Sequence, residues 1–462
     1  MLVPGAFKDE KGKISPGLIA GHITDPTNSL RQFFKSFEDT EEIVVYQNGV
    51  YKPHGEVKIR EIAEELIGVE CSNHMRNEVV GHIRSSSYAP REMFDSEPNT
   101  INLLNGFLNI KTLELEPHDP DILSMKQIPV NFAPEVTCPT IDTCLEEWVH
   151  PEAIPLLEEM LGYLLLNDCR YAKSFWLVGD GENGKSTFLD LIIAFLGKEN
   201  CSSVSVQQLC DNQFAAAQLF GKMANIFADL PKNALQETSM FKTMVVGDTI
   251  LANPKYGKQF SFRNTAKMIY SCNALPDTDD QTRAFFRRVE IINFANVFPP
   301  ETADKELLSR LTVPSELSGL LNRALAGLHR LFENGCFSSE YTVERLQEQW
   351  ERLANPPMAF IEDWCELVPD ESEEKAEFYQ LFRQWCEKNN TAPNTYRAFN
   401  SYVKHTVGLK EARLGSRGNR KLCWQGIHCI KRDTVSGSRT LKEHLQLPGD
   451  KNVVPADTMT RE

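Results

Sequence analysis

Ser174-Phe175-Trp176-Leu177-Val178 runs straight into Gly179-Asp180-Gly181-Glu182-Asn183-Gly184-Lys185-Ser186-Thr187, and a helix-like run opens at Phe188. The first five residues show no polar alternation, as a strand buried on both faces of a parallel sheet requires. The residues after them contain a full match to G-x-x-x-x-G-K-[ST], placed after a strand and before a helix. At average glycine usage such an octet arises by chance about 0.02 times in a chain of this length. The glycines let successive backbone N–H groups curl round a phosphate, and the helix N-terminus adds its positive end. Lys185 would then bridge the outer phosphates, and the Ser186 hydroxyl would be one ligand of Mg²⁺, which keeps most of its coordination from water and phosphate. Candidates for holding a nucleotide are therefore Gly179, Asp180, Gly181, Glu182, Asn183, Gly184, Lys185, Ser186 and Thr187, with ATP and Mg²⁺ as the expected ligands.

Three further apolar runs resemble the first: Met223 to Ala228, Ala266 to Ser271 and Val289 to Phe294. With helical or hairpin-like segments between them they have the rhythm of a doubly wound α/β core. The run from Met223 ends in Asp229, an acid where a second Mg²⁺ ligand is expected, although a capping Asp would read the same way. Upstream, Leu145, Trp148, Ile154, Leu157, Met160, Leu161 and Leu164 recur at helical spacing, with a break near Pro151, and form a helical neck. Before the neck lie a β-rich stretch turning at Asn105-Gly106 and a small α/β module turning at Asn48-Gly49. Downstream, 303–333 and 339–354 read as helices, Asn355-Pro356-Pro357 marks a boundary, and two more helical patterns follow the acidic stretch 370–374. The expected division is 1–95 (N-terminal module), 96–170 (β-rich region and neck), 171–335 (ATPase core), 336–445 (helical linker and a DNA-binding domain) and 446–462 (polar tail).

Composition narrows the class. The 462 residues are 41% apolar and 24% charged, the usage of an ordinary folded chain, and the net charge of −15 excludes nucleic acid coating the whole surface. Neither an export-signal core nor an apolar run long enough to span a bilayer is present, so no membrane partner and a cytoplasmic setting, host cytoplasm or nucleoid, are expected. The twelve cysteines include no Cys-x-x-Cys pair and read as scattered reduced thiols. Cys71-x-x-His74 with His82 is the nearest thing to a ligand cluster, and no structural zinc is expected from it.

Between Phe241 and Phe294 the chain reads Phe-Lys-Thr-Met-Val-Val-Gly-Asp, then Pro254-Lys255-Tyr256-Gly257-Lys258, Met268-Ile269-Tyr270-Ser271-Cys272-Asn273-Ala274-Leu275-Pro276 and Phe285-Phe286-Arg287-Arg288-Val289. This order resembles superfamily 3 helicases, a branch of the AAA+ ATPases, and in particular the phage, plasmid and poxvirus-type primase-helicases. The resemblance runs roughly from Asp95 to Ile427 and is strongest from Phe175 to Phe294. It implies an α/β AAA+ P-loop core with an N-terminal α/β region and a C-terminal winged-helix-like domain, assembled as a ring, with a hexamer expected, and with ATP sites between subunits.

The same resemblance implies residue roles. Asn273 would be the polar sensor of the terminal phosphate, and Arg287 or Arg288, with Arg283 also in range, would reach a neighbour's nucleotide as an arginine finger. Lys255, Tyr256 and Lys258 sit at the tip of a hairpin between two β-like runs, and in related helicases such a hairpin grips single-stranded DNA. Cations that meet phosphates and a ring that stacks on a base suit that task, though solvated surface lysines would look alike. Two departures stand out. Asp229 follows Ala228 and precedes Leu230-Pro231 where relatives carry paired acids, so the general base stays open between Asp229, Asp180, Glu182 and another group. The roughly 95 residues before the resemblance are also too few for the polymerising domain that relatives often carry; a primase or polymerase is a candidate partner.

From Arg397 to Glu443 eleven Lys or Arg face three acids, a local +8 inside an acidic chain. Two short helices followed by Arg413, Arg417, Arg420 and Lys421 read as a winged helix with a basic wing, fitted to duplex DNA or to a protein partner. The leading expectation is an ATP-dependent replicative DNA helicase of a virus, phage or plasmid-like element, travelling 3′ to 5′ on single-stranded DNA. An ATP-switched initiator or loader that binds without processive unwinding is the alternative, and an unrelated P-loop kinase is a third reading.

Overall fold

Asn48 and Gly49, both at positive φ (51° and 89°), make the two-residue turn whose twist suits a hairpin, and the N-terminal sheet grows from it. In chain order this region holds α1 (Pro16–Thr24), β1 (Phe34–Phe37), β2 (Ile43–Gln47), β3 (Val50–Lys52), α2 (Gly55–Ile67), α3 (Asn73–Ser86) and β4 (Tyr88–Ala89). Its strands lie in the order β3-β2-β1-β4. The computed structural model describes residues 7–28, 32–179, 181–212, 214–230, 235, 238–255, 257–276, 278, 280, 282–294, 296–298, 304–339, 342–389, 391, 393–414 and 420–430. Asp180, Tyr256, Arg417 and the tail expected at 446–462 lie outside the described residues.

A second small sheet follows, β5 (Thr100–Leu103), β6 (Gly106–Asn109) and β7 (Leu115–Glu116), and then the neck, α4 (Pro139–Trp148) and α5 (Ile154–Leu164). The core comprises β8 (Ser174–Val178), α6 (Lys185–Leu196), β9 (Cys201–Ser202), α7 (Val206–Asp211), β10 (Ala224–Phe227), α8 (Ser239–Val246), β11 (Thr249–Ala252), β12 (Phe260–Arg263), β13 (Lys267–Cys272), α9 (Arg283–Phe286) and β14 (Val289–Asn293). After it come α10 (Leu307–Leu311), α11 (Pro314–Asn334) and α12 (Val343–Ala354).

Five of the core strands form a sheet in the order β14-β8-β13-β10-β9, every pairing parallel. All five residues of β8 are buried, and they divide between two layers. Phe175 and Leu177 pack with Phe188 and Ile192 of α6, Leu157 and Met160 of α5, and Leu320 of α11. Trp176 and Val178 pack with Phe241 and Met244 of α8 and with Leu346, Trp350 and Leu353 of α12. Helices on both faces explain why β8 carries no polar alternation. Trp176 and Trp350 meet edge to face at 5.0 Å, and the Trp350 indole N–H donates to Pro276 O at 3.1 Å. Helix α12 is thus part of the core unit, whereas the sequence reading grouped 336–354 with the C-terminal region. Among the described residues no helix is long and apolar enough to cross a membrane.

The chain divides into two compact units after Ala354. The second contains α13 (Pro356–Trp364), β15 (Cys365–Glu366), β16 (Ser372–Glu374), α14 (Lys375–Lys388), α15 (Tyr396–Tyr402), β17 (Lys410–Leu414), β18 (Lys421–Gln425) and β19 (His428–Cys429). Its strands pair antiparallel as β16-β18-β17 and β15-β19 around Phe360, Phe378, Phe382, Trp385, Phe399 and Trp424. The rings of Phe382 and Phe399 stack with centroids 4.4 Å apart.

Candidate functional site

Parallel register decides which residues meet. Val178 is level with Cys272, and Trp176 and Tyr270 are level with Phe227, so β8, β13 and β10 end side by side. Gly179 and Asn273 directly follow β8 and β13, and Asp229 lies two residues past the end of β10, level with Cys272 when the register is continued, so the three share the carboxyl edge of the sheet, where open α/β folds bind ligands. Two backbone bonds tie the edge together: Gly179 N donates to Cys272 O at 3.3 Å, and Leu230 N donates to Ser271 O at 2.9 Å. Asp229 is exposed with φ +54°, and Asn273 is exposed as well.

The loop is closed by glycine geometry and by one amide. Gly184 has φ +85° directly before α6, and a Cβ there would lie 2.5 Å from the Trp148 ring. The neck thus braces the loop through Trp148, which also meets Phe188 edge to face at 5.8 Å. Buried Asn183 donates from Nδ2 to Phe294 O at 3.1 Å, and Phe298 N donates to Glu182 O at 2.7 Å, so the segment after β14 fixes the far side. Lys185 is 6% exposed, and its ammonium donates to Asn183 Oδ1 at 3.0 Å and to Gly179 O. A buried cation held at the mouth of a backbone loop, beside the N-terminus of a twelve-residue helix, suits an anion of high charge. Ser186 is exposed and Thr187 half-buried on the first turn of that helix. A cavity of about 360 Å³ lies elsewhere, lined by Asp95, Asn102, Ser124, Lys126 and Asn167.

Arg287 and Arg288 are not part of this edge. They precede β14, whose first residue Val289 is level with Ser174, and Ser174 N donates to Arg288 O at 2.7 Å. That is the amino edge of the sheet, five residues along β8 from Gly179, roughly 17 Å at ~3.3 Å per residue. Arg287 is exposed, while Arg288 is half-buried with its guanidinium on Ala284 O. Burial first, and the neighbouring Arg287 second, lower the Arg288 pKa. Asp280 fixes the approach to α9, accepting from Lys242 Nζ at 2.8 Å, from Thr282 N at 3.0 Å and from Thr238. Burial works against its ionisation, but these donors hold its carboxyl well below the usual range.

The β11–β12 hairpin also belongs to the amino edge, because Arg263 lies only a few residues before Lys267, where β13 begins. Buried Asn264 anchors its base by donating to Met244 O and Ala266 O at 2.9 and 3.0 Å. Lys255 and Lys258 are exposed at the tip, and Lys258 Nζ lies 3.3 Å from Glu41 of the N-terminal region. Arg91 makes the stronger link. Its guanidinium lies over the rings of Phe37, Phe220 and Phe260 at 3.9, 4.5 and 4.1 Å, and it holds Asp39 through two bonds of 2.9 and 2.8 Å. Burial pushes the Asp39 carboxyl up, but the Arg91 bonds and charge outweigh it and keep that pKa low. Sequence reading missed Arg91, Asp39 and Glu41; no short-range pattern marks a contact that spans more than a hundred residues.

In the second unit Arg413 of β17, Lys421 of β18 and Arg420 just before β18 are exposed. The sheet sets acids beside them, since β16 places Glu373 and Glu374 opposite Trp424 and Cys423. Lys421 pairs with Glu374, and Lys375 lies 3.8 Å over Trp424 while pairing with Glu411 at 2.6 Å. Among the described residues of this sheet, cations of the basic segment thus lie beside acids of the stretch 370–374.

Comparison with known proteins gives two family matches. Residues 31–150 match the family described as D5 N terminal like, and residues 177–288 match a Family of unknown function (DUF5906). The first match begins at residue 31 rather than near Asp95, so it takes in the Arg91 and Asp39 region. The chain is 24% identical over 273 residues to a protein of Acanthamoeba polyphaga mimivirus bearing the name "putative helicase", covering 51% of this chain and 27% of that protein. It is 24% identical over 267 residues to a protein of Frog virus 3 (isolate Goorha) with the same kind of name, covering 53% and 27%. The chain thus spans about a quarter of the length of these viral relatives. Among solved structures it is similar to the C-terminal region of NrS-1, with 13% identity, a TM-score of 0.48, and coverage of 86% of this chain and 96% of that one.

Proposed function

We propose that this chain is the motor portion of an ATP-dependent DNA helicase of a viral or phage-like replicon. The observation that carries the reading is the loop 179–187, set between a strand buried on both faces and a helix, with Lys185 buried at its mouth. In this reading the loop N–H groups and Lys185 bind the phosphates of ATP, and Ser186 and Asp229 supply Mg²⁺ ligands. The metal would neutralise phosphate charge as the terminal phosphoryl group departs. Asn273 orients the attacking water or the terminal phosphate. The general base stays open between Asp229, Asp180 and Glu182.

The strand order β14-β8-β13-β10-β9 supports an AAA+ arrangement, and the position of Arg287 and Arg288 supports a shared site. Arginines on the amino edge are too far from the loop of their own copy to touch its nucleotide, so they serve a neighbour in a head-to-tail ring, proposed as a hexamer. The hairpin bearing Lys255 and Lys258 then faces the strand of DNA, and the helicase names of the viral relatives agree with that use. The test is ATP turnover with and without single-stranded DNA, for the parent and for Lys185→Ala. DNA stimulation that vanishes in Lys185→Ala supports the motor. Turnover indifferent to DNA contradicts it, and DNA-stimulated turnover without strand displacement moves the reading to an ATP-switched loader.

A further inference from the structure

Cys365 and Cys429 face each other directly across β15 and β19. They are 4% and 5% exposed, and their sulfurs lie 3.8 Å apart. Ile430 N donates to Trp364 O at 2.7 Å, while Cys429 N donates to the Glu373 carboxylate at 2.8 Å instead of crossing to Cys365. The two cysteines are therefore a non-hydrogen-bonded cross-strand pair, the kind whose Cα atoms approach to about 4.5 Å. That separation lies inside the range a disulfide spans, so a bond needs side-chain rotation and no backbone movement.

We propose that Cys365 and Cys429 form a reversible disulfide that staples the first described strand of the second unit to the last. The oxidant is a low-molecular-weight disulfide. One cysteine, as thiolate, attacks it, breaking its S–S bond and releasing one small thiol. The second cysteine, as thiolate, attacks the mixed disulfide and releases the other small thiol. Two electrons pass to the oxidant, and the two cysteine protons end on the two small thiols.

Other features of the fold fit this pair. The staple closes 64 residues, enough to restrict the unfolded chain strongly. The β15–β19 ladder is only two residues long, so local opening admits the oxidant. Cys423, the next nearest in sequence, is turned to its own backbone, with Sγ 3.7 Å from Lys421 O. In the reduced state the Cys429 thiol first, and burial second, hold the Cys365 thiol far above its ordinary range, so oxidation quickens as pH rises.

The test uses the full chain, oxidised with glutathione disulfide at pH 8, blocked with an alkylating agent and cut with trypsin. The expected product joins peptide 353–375 to peptide 422–431, with Cys423 alkylated, and is about 2 Da lighter than the two peptides together carrying that one alkyl group. It forms in the parent and in Cys423→Ser, is absent in Cys429→Ser, and disappears with dithiothreitol. The oxidised parent melts about 5 to 10 °C above the reduced one, a shift missing in Cys365→Ser. The proposal is overturned if Cys365 and Cys429 are recovered alkylated once exposed Cys336 is fully modified, or if the cross-link runs through Cys423.

Discussion

The two edges of the parallel sheet differ in what they present and in how it is held. The carboxyl edge gathers Gly179, Asn273 and Asp229 because three neighbouring parallel strands run in register and finish within two residues of one another. The amino edge carries Arg287, Arg288 and the β11–β12 hairpin, clamped by Arg91 and Asp39 from far away in sequence. A parallel sheet has a polarity, and residues that flank opposite strand ends cannot meet inside one copy. On the proposed reading this separation is what makes the ATPase a property of adjoining subunits. The same reading puts DNA contact and nucleotide contact at opposite edges of one sheet.

This contrast can be broken at either edge. The largest expected effect is at the carboxyl edge: Lys185→Ala lowers ATP turnover by about 100-fold or more, because a preorganised charge is lost from the phosphates. At the amino edge Arg91→Ala acts on stability first. It leaves Asp39 unpaired and three rings without their cation, for about 2 to 4 kcal/mol in a urea titration, a buried-pair cost reduced for the solvent that reaches Asp39. Arg91→Lys recovers less than half of that, since an ammonium cannot make the bidentate bond.

Lys267, at the start of β13, gives a pH-dependent effect of similar or smaller size. Burial first lowers its pKa to about 8, against ~10.4 in an unfolded chain. Between these values the unfolded chain holds the proton and the folded chain does not, so stability rises with pH across that window. Below it both forms are protonated and the contribution is flat. The stability difference between parent and Lys267→Met therefore shifts in the parent's favour by up to about 3 kcal/mol between pH 8 and 10.4, read by denaturant midpoints. The smallest effect is at the hairpin tip. Lys258→Ala changes stability by less than about 1 kcal/mol, because the pair with Glu41 is exposed, but it flattens the salt dependence of single-stranded DNA binding by about one unit of slope.

Much of the carboxyl edge was legible in the sequence because its signals are local. An apolar strand, a glycine-rich octet and a helix follow one another within residues 174–196, and Asp229 and Asn273 each close an apolar run. The amino edge was legible only in part. Arg287 and Arg288 stand out as letters, but their distance from the loop depends on the Ser174–Val289 register, which no window of sequence contains. Arg91 reads as one surface cation among many until Phe37, Phe220 and Phe260 close over it. Charge counting along 397–443 is blind to strand pairing in the same way: Glu373 and Glu374 come beside the basic strands from outside that window.

The most direct test of a site divided between copies is a mixing experiment. Lys185→Ala chains are combined in equal amounts with whichever of Arg288→Ala and Arg287→Ala is inactive alone, assembled with ATP and single-stranded DNA, and assayed for turnover, because either arginine can be the finger. Random assembly joins an intact loop to an intact arginine at one interface in four, so the account predicts recovery of about a quarter of the parental rate. A mixture no more active than its components would contradict it.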